Sequence, residues 1–268
     1  MTELILPAAI LALVGGFAGI LAGLLGVGGG IILVPAFLYL FDAAGYGSPD
    51  LMQLCLATSL ATIMVTSGRS VLAHHRRGAV DWQILRDWAP GIALGAAVGV
   101  LTVSSLRTQT LQIIFGVLVL LIAGYMVLGR ASWRLAEQMP QGPVKYVLSA
   151  LTGFVSVLLG IGGGSIGVPL MTLHGRPIHR AVATAAGFGG LIAAPSAALF
   201  LLTPVQNAPP GTIGSVNVPA FLIVIVMTML TAPLGAALAH RLDAGLLKKA
   251  FAFFLAIVAL NMLRTALL

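Results

Sequence analysis

The chain has 268 residues, of which 59% are hydrophobic and only 8% charged, with a mean hydropathy of +1.07. A soluble domain carries about a quarter charged residues, so this composition excludes a soluble globular protein and makes lipid the solvent. The net charge of +7 does not mark a nucleic-acid binder, because the basic residues sit in short loops between apolar runs, which is how membrane topology is written.

In chain order the apolar runs occupy 4–25, 30–41, 51–73, 88–105, 108–129, 144–160, 164–173, 178–203, 218–239 and 246–267. The first opens "MTELILPAAILALVGG", without a basic n-region or a small-residue cleavage signal, and reads as a membrane segment rather than a signal peptide. Crossing the hydrocarbon core takes about 20 helical residues, which most runs supply. Runs 30–41 and 164–173 do not; at about 1.5 Å per residue they reach only part way. Each of these two follows a glycine cluster, "LLGVGGGIILVP" at 24–35 and "LLGIGGGSIGVP" at 158–169, with nine of twelve positions identical.

The halves match elsewhere too: "LATS" at 56–59 with "VATA" at 182–185, "GAVD" at 78–81 with "GSVN" at 214–217, and Leu106 and Phe115 with Leu242 and Phe251. The sequence therefore reads as an internal duplication, 1–142 and 143–268, joined through the polar stretch 130–145. Each half holds three long crossings plus a broken hairpin that adds two crossings or none. Both totals are odd, so the second half inserts upside down. With loop 74–87 in the cytoplasm, eleven of the fourteen Lys and Arg residues fall on that side, only Arg107 and Arg264 fall outside, and loop 204–217 is uncharged. The expected fold is an all-α polytopic membrane protein. It consists of two inverted-topology repeats, each a glycine-broken, re-entrant helical hairpin plus three transmembrane helices, with both termini outside.

Helix breaks at equivalent places in inverted repeats describe secondary transporters, whose sites form where broken helices meet. Unwound backbone in lipid is costly unless it lines a cavity or is buried in protein. A helix that starts at such a break aims free N–H groups and about half a positive charge at it, and an anion is the natural guest. Gly28, Gly29 and Gly30, with Gly162, Gly163, Gly164 and Ser165, are the candidate donors, and Pro35 and Pro169 the candidate structural helix breaks. Thr58, Ser59 and Thr184 are candidate lining hydroxyls; the alternative is that they bond their own helix backbone. Arg69, four residues from the end of its run, either snorkels to the interface or assists the substrate. Gly15, Gly19 and Gly23, and Gly91, Gly95 and Gly99, have the four-residue spacing of close-packed helices.

All seven acids fall in loops or at termini, so the usual intramembrane carboxylate relay is missing. The five histidines map to the cytoplasmic face. The lone Cys55 excludes a disulfide framework or a CxxC metal site. No HExxH, intramembrane aspartate pair or serine–histidine arrangement suggests an enzyme, and no cofactor, metal or nucleic-acid partner is expected.

The paired motifs, "LATS" and the tail "LGAALAHRLDAGLLKKAFAFFLAIVALNML" resemble the TauE/SafE sulfite exporter family over essentially the whole chain. That resemblance implies transport of a small sulfur oxyanion or sulfonate, such as sulfite or sulfoacetate, in the bacterial inner membrane. "VATA" departs from the pattern by lacking a counterpart to Ser59. The expectation is a secondary transporter working by alternating access, with H+ or Na+ as coupling ion and membrane lipid around it. A passive anion channel of the same fold is the alternative.

Overall fold

The structure, a computed structural model, describes residues 2–25, 29–129, 133–239 and 244–268. Gly28 lies outside the described residues, as do Arg130, His240 and Arg241. The described chain forms helices α1 (Thr2–Leu25), α2 (Gly30–Phe41), α3 (Leu51–His75), α4 (Trp82–Ser105), α5 (Thr108–Leu128), α6 (Gly142–Leu158), α7 (Gly164–Leu173), α8 (Ile178–Phe200), α9 (Val218–Ala239) and α10 (Ala244–Leu267). A π-turn, Asp42–Tyr46, extends α2, and a two-residue hairpin of β1 (Thr212–Ile213) and β2 (Val216–Asn217) precedes α9.

Seven helices among the described residues (α1, α3, α4, α5, α8, α9 and α10) are long and apolar enough to cross a membrane. The protein is an all-α polytopic membrane protein. Helices α2 and α7, with 12 and 10 residues, coincide with the two truncated runs. Helix α4 starts six residues before its apolar run because Asp81 caps it, accepting the Ile84 N–H through Oδ1 at 3.2 Å. Part of the expected loop 74–87 is therefore the first turns of a helix.

Lipid removes the hydrophobic drive for helices to associate, so close van der Waals packing must hold them together. Glycine provides it. Helix α1 lies along α9, and α4 along α6. A Cβ added at Gly15 of α1 would lie 3.1 Å from the Val224 Cα of α9, and one at Gly95 of α4 would lie 2.8 Å from the Ala150 Cα of α6. Helices α3 and α8 pair at the centre, where α2 packs on α3 and α7 on α8, and α5 pairs with α10. Helix α3 is the most enclosed of the seven, with residues 51–63 all buried. The principal pairings are unchanged when α1–α5 are exchanged for α6–α10.

Candidate functional site

The second break is made by Gly160. Its φ of +57° ends α6 in a left-handed turn, with the Gly160 N–H donating to the Val157 carbonyl at 2.9 Å and the Ile161 N–H to the Ser156 carbonyl at 3.0 Å. This double bond is the Schellman stop, which favours glycine. Helix α7 then begins after Gly163. Its first bond runs from the Gly167 N–H to the Gly163 carbonyl at 2.7 Å, which leaves the N–H groups of Gly164, Ser165 and Ile166 ahead of the ladder. At the first break Gly29 caps α2 in the left-handed region, φ +70°, and its carbonyl accepts from Ile32 and Leu33.

The two breaks touch. A Cβ on Gly30 would run into the Gly160 carbonyl oxygen and lie 3.1 Å from the Ile161 Cα. Ser59 of α3 donates its hydroxyl to that same Gly160 carbonyl at 2.8 Å. One half thus pins the unwound backbone of the other, and the polar group exposed by the break is satisfied inside protein, as lipid demands.

Around the second break, Gly163 is pressed against Phe188 and the Ala185 carbonyl of α8, and a Cβ on Gly189 would lie 3.4 Å from the Gly163 N and against the Ser67 hydroxyl. Ala185 is the "VATA" residue that departs from Ser59, and its Cβ lies 3.4 Å from the Cβ position of Gly167. Phe188 stacks on Trp88 of α4, with ring centroids 5.9 Å apart. The Ser165 hydroxyl, on the first turn of α7, and the Ser156 hydroxyl, on the last turn of α6, are buried without a hydrogen-bond partner.

Thr58 and Thr184 have a use that spacing did not disclose. The Thr58 Oγ1 accepts the Asn217 N–H at 3.0 Å, and the Thr184 Oγ1 accepts the Asp81 N–H at 3.0 Å. Asn217 and Asp81 occupy matching places, each at the start of a helix, where Asn217 Oδ1 accepts from Ala220 as Asp81 does from Ile84. The "LATS" and "VATA" segments are therefore each stapled to the "GSVN" and "GAVD" turns of the opposite half. The sequence displayed both matches, but nothing in it said that they bond crosswise.

Arg69 is exposed, two residues beyond Ser67 on α3. Pro35 and Pro169 are corrected as helix breaks: each is the sixth residue of a helix that continues beyond it, to Phe41 and to Leu173. The glycines make the breaks; a proline this early forfeits one bond near the helix start and leaves the following turns intact. Beside the Thr184–Asp81 staple, Asp81 Oδ2 lies 3.8 Å from Arg176 Nη1. That pair borders a pocket of about 390 Å³, lined also by Asp87, Lys145 and the segment 138–142. The same polar linker crosses the end of α7, where Leu135 and Ala136 donate to the Leu173 carbonyl at 2.7 and 3.3 Å.

The family model described as sulfite exporter TauE/SafE matches residues 11–262, nearly the whole chain. The chain belongs to the TauE/SafE family. A "Probable membrane transporter protein" of Haemophilus influenzae is 34% identical, covering 93% of this chain and 96% of its own. A protein of the same description from Methanocaldococcus jannaschii is 26% identical with 97% of each chain covered, and YunE of Bacillus subtilis is 29% identical over 65% and 71%. No solved structure matches the chain. The TauE/SafE assignment and the seven apolar helices agree on a multi-pass membrane protein of a transporter family.

Proposed function

We propose that this TauE/SafE protein is a secondary transporter that exports a small sulfur oxyanion or sulfonate across the bacterial inner membrane by alternating access. The observation that carries the reading is the contact between the two glycine breaks in the buried centre, where the first turn of α7 presents unpaired donors and no carboxylate. The transporter family and the sulfite named in its description support the substrate class. The crosswise staples support alternating access. Thr58–Asn217 and Thr184–Asp81 join opposite halves at two separate places, so one can part while the other holds. The exchangeable pairings of α1–α5 and α6–α10 support two inverted repeats, 1–142 and 143–268, rocking against each other. The basic loops support a cytoplasmic linker with both termini outside. H+ or Na+ is the proposed coupling ion.

Burial of both breaks favours a carrier over an open pore. The test is sulfite flux in proteoliposomes. Saturable uptake with counterflow is expected, and its loss in Gly163→Leu protein that still inserts and purifies as the wild type. Channel-like currents, or full transport by that variant, would overturn the proposal.

A further inference from the structure

The two glycine breaks are alike in sequence but not in chemistry. Several buried hydroxyls elsewhere in the bundle are satisfied on their own helix, Thr62 on the Thr58 carbonyl, Thr152 on Leu148 and Ser196 on Ile192, at 2.7–2.9 Å, and Ser59 is satisfied on Gly160. Ser156 and Ser165 are not, although they are 0% and 9% exposed. Among the described residues the only other hydroxyl left in this way is that of Ser104, at the far end of α4. An unpaired buried hydroxyl costs about 1–3 kcal/mol, and two flanking one break indicate an absent acceptor. At the first break the repeat places Ala22 where Ser156 stands and Ile31 where Ser165 stands, and Ala193 matches Ser67. Gly30 there is closed against Gly160 and Ile161. One break carries unpaired hydroxyls; the other carries apolar side chains at the matching positions.

The donors at the polar break are all neutral. They are the hydroxyls of Ser165 and Ser156, the N–H groups that open α7, and Ser67 on the facing helix. Among the described residues no Lys, Arg, Asp or Glu is buried. The one buried imidazole among the described residues, His174, sits at the other end of α7, about 15 Å along the helix axis, with Nδ1 2.7 Å from the Leu170 carbonyl. Removing an ion from water costs energy in proportion to the square of its charge, so a dianion loses about four times what a monoanion loses. Fixed dipoles return energy only in proportion to the charge, and a helix N-terminus supplies roughly half a positive charge.

We propose that the protein has a single anion site, at 162–165 on the second break, and that it takes a singly charged sulfur oxyanion such as hydrogen sulfite or an alkanesulfonate while rejecting dianions. The first break is a structural partner without a ligand of its own. This rests on the proposed function and narrows it: sulfoacetate, with a carboxylate beside its sulfonate, falls in the disfavoured class.

The test is isothermal titration of the purified full-length protein with methanesulfonate, sulfate and thiosulfate at neutral pH, together with thermal-shift measurement. Methanesulfonate is expected to bind one to one, at least about tenfold tighter than either dianion. Ser165→Ala is expected to weaken it by about tenfold, the scale of one hydrogen bond to a charged group. Tighter binding of sulfate or thiosulfate, or two anions per chain, would overturn the inference and leave the anion-carrier reading standing. Absence of binding by all three probes, in protein that melts cooperatively, would sink both. The selectivity comparison uses the unaltered protein, so it holds whether or not the serine variant folds.

Discussion

Gly160 shows how much a single missing side chain can do. Its φ of +57° requires the left-handed region, and a Cβ there would sit 2.6 Å from Val34 Cγ2 and 2.9 Å from Leu56 Cδ2. Gly160→Ala should destabilise by about 1–2 kcal/mol from the backbone alone, with repacking added, and lower the melting temperature in detergent. Gly190, in α8 with open space around it, is the control. Gly190→Ala should be neutral or stabilise by about 0.5–1 kcal/mol, since alanine loses less entropy in a helix. Ser59→Ala removes the donor to a buried carbonyl and should cost about 1–3 kcal/mol, with no matching effect at Ala185, whose side is filled by Gly163 and Gly167. At this scale the sequence was legible only in part. A doubled GGG run announced the breaks, yet at the second motif the stop itself falls to the earlier glycine, Gly160. Whether Ser59 and Thr58 bond their own helix or another half depends on approach distances that no spacing encodes.

The short helices were the most readable elements, because a glycine start and a truncated apolar run leave little choice of length. The start of α4 was hidden, because Trp82 to Asp87 mixes polar and charged residues with apolar ones and hydropathy alone sees a loop. The aspartate that caps α4 was visible as "GAVD" but carried no sign that its N–H would reach α8. The crosswise staples are discrete joints between elements, so they can be broken one at a time. Thr184→Val keeps the shape and removes the acceptor for the Asp81 N–H; Thr58→Val does the same for Asn217. Each should lower stability by about 1 kcal/mol. A double-mutant cycle measured by thermal unfolding should show additive effects, because the staples share no partner. A strong coupling would mean that they belong to one network.

For the whole molecule, composition alone established the membrane class, and the glycine stripes marked α1 and α4 as closely packed helices. The pairing of α1 with α9 and of α4 with α6 was not foretold, since it depends on how the halves nest. Orientation has its own test. In a Cys55→Ala background, a cysteine at Gln206, exposed in the uncharged loop, should react with an impermeant thiol reagent in intact cells. One at Gln138, exposed in the linker, should react only after lysis. The reverse pattern would invert the assignment of sides drawn from the basic loops.

The stack of Trp88 on Phe188, with Phe188 against Gly163, gives the protein an internal optical reporter. Trp88 is 1% exposed, whereas Trp82 and Trp133, the other two tryptophans of the chain, are 42% and 47% exposed. In a Trp82→Phe, Trp133→Phe background the emission should be blue-shifted and come from one indole, a single ring away from the second break. An anion that settles on α7 would change the quenching of that indole without any label. The occupancy of the site could then be followed in real time, on the same molecules whose flux is being measured.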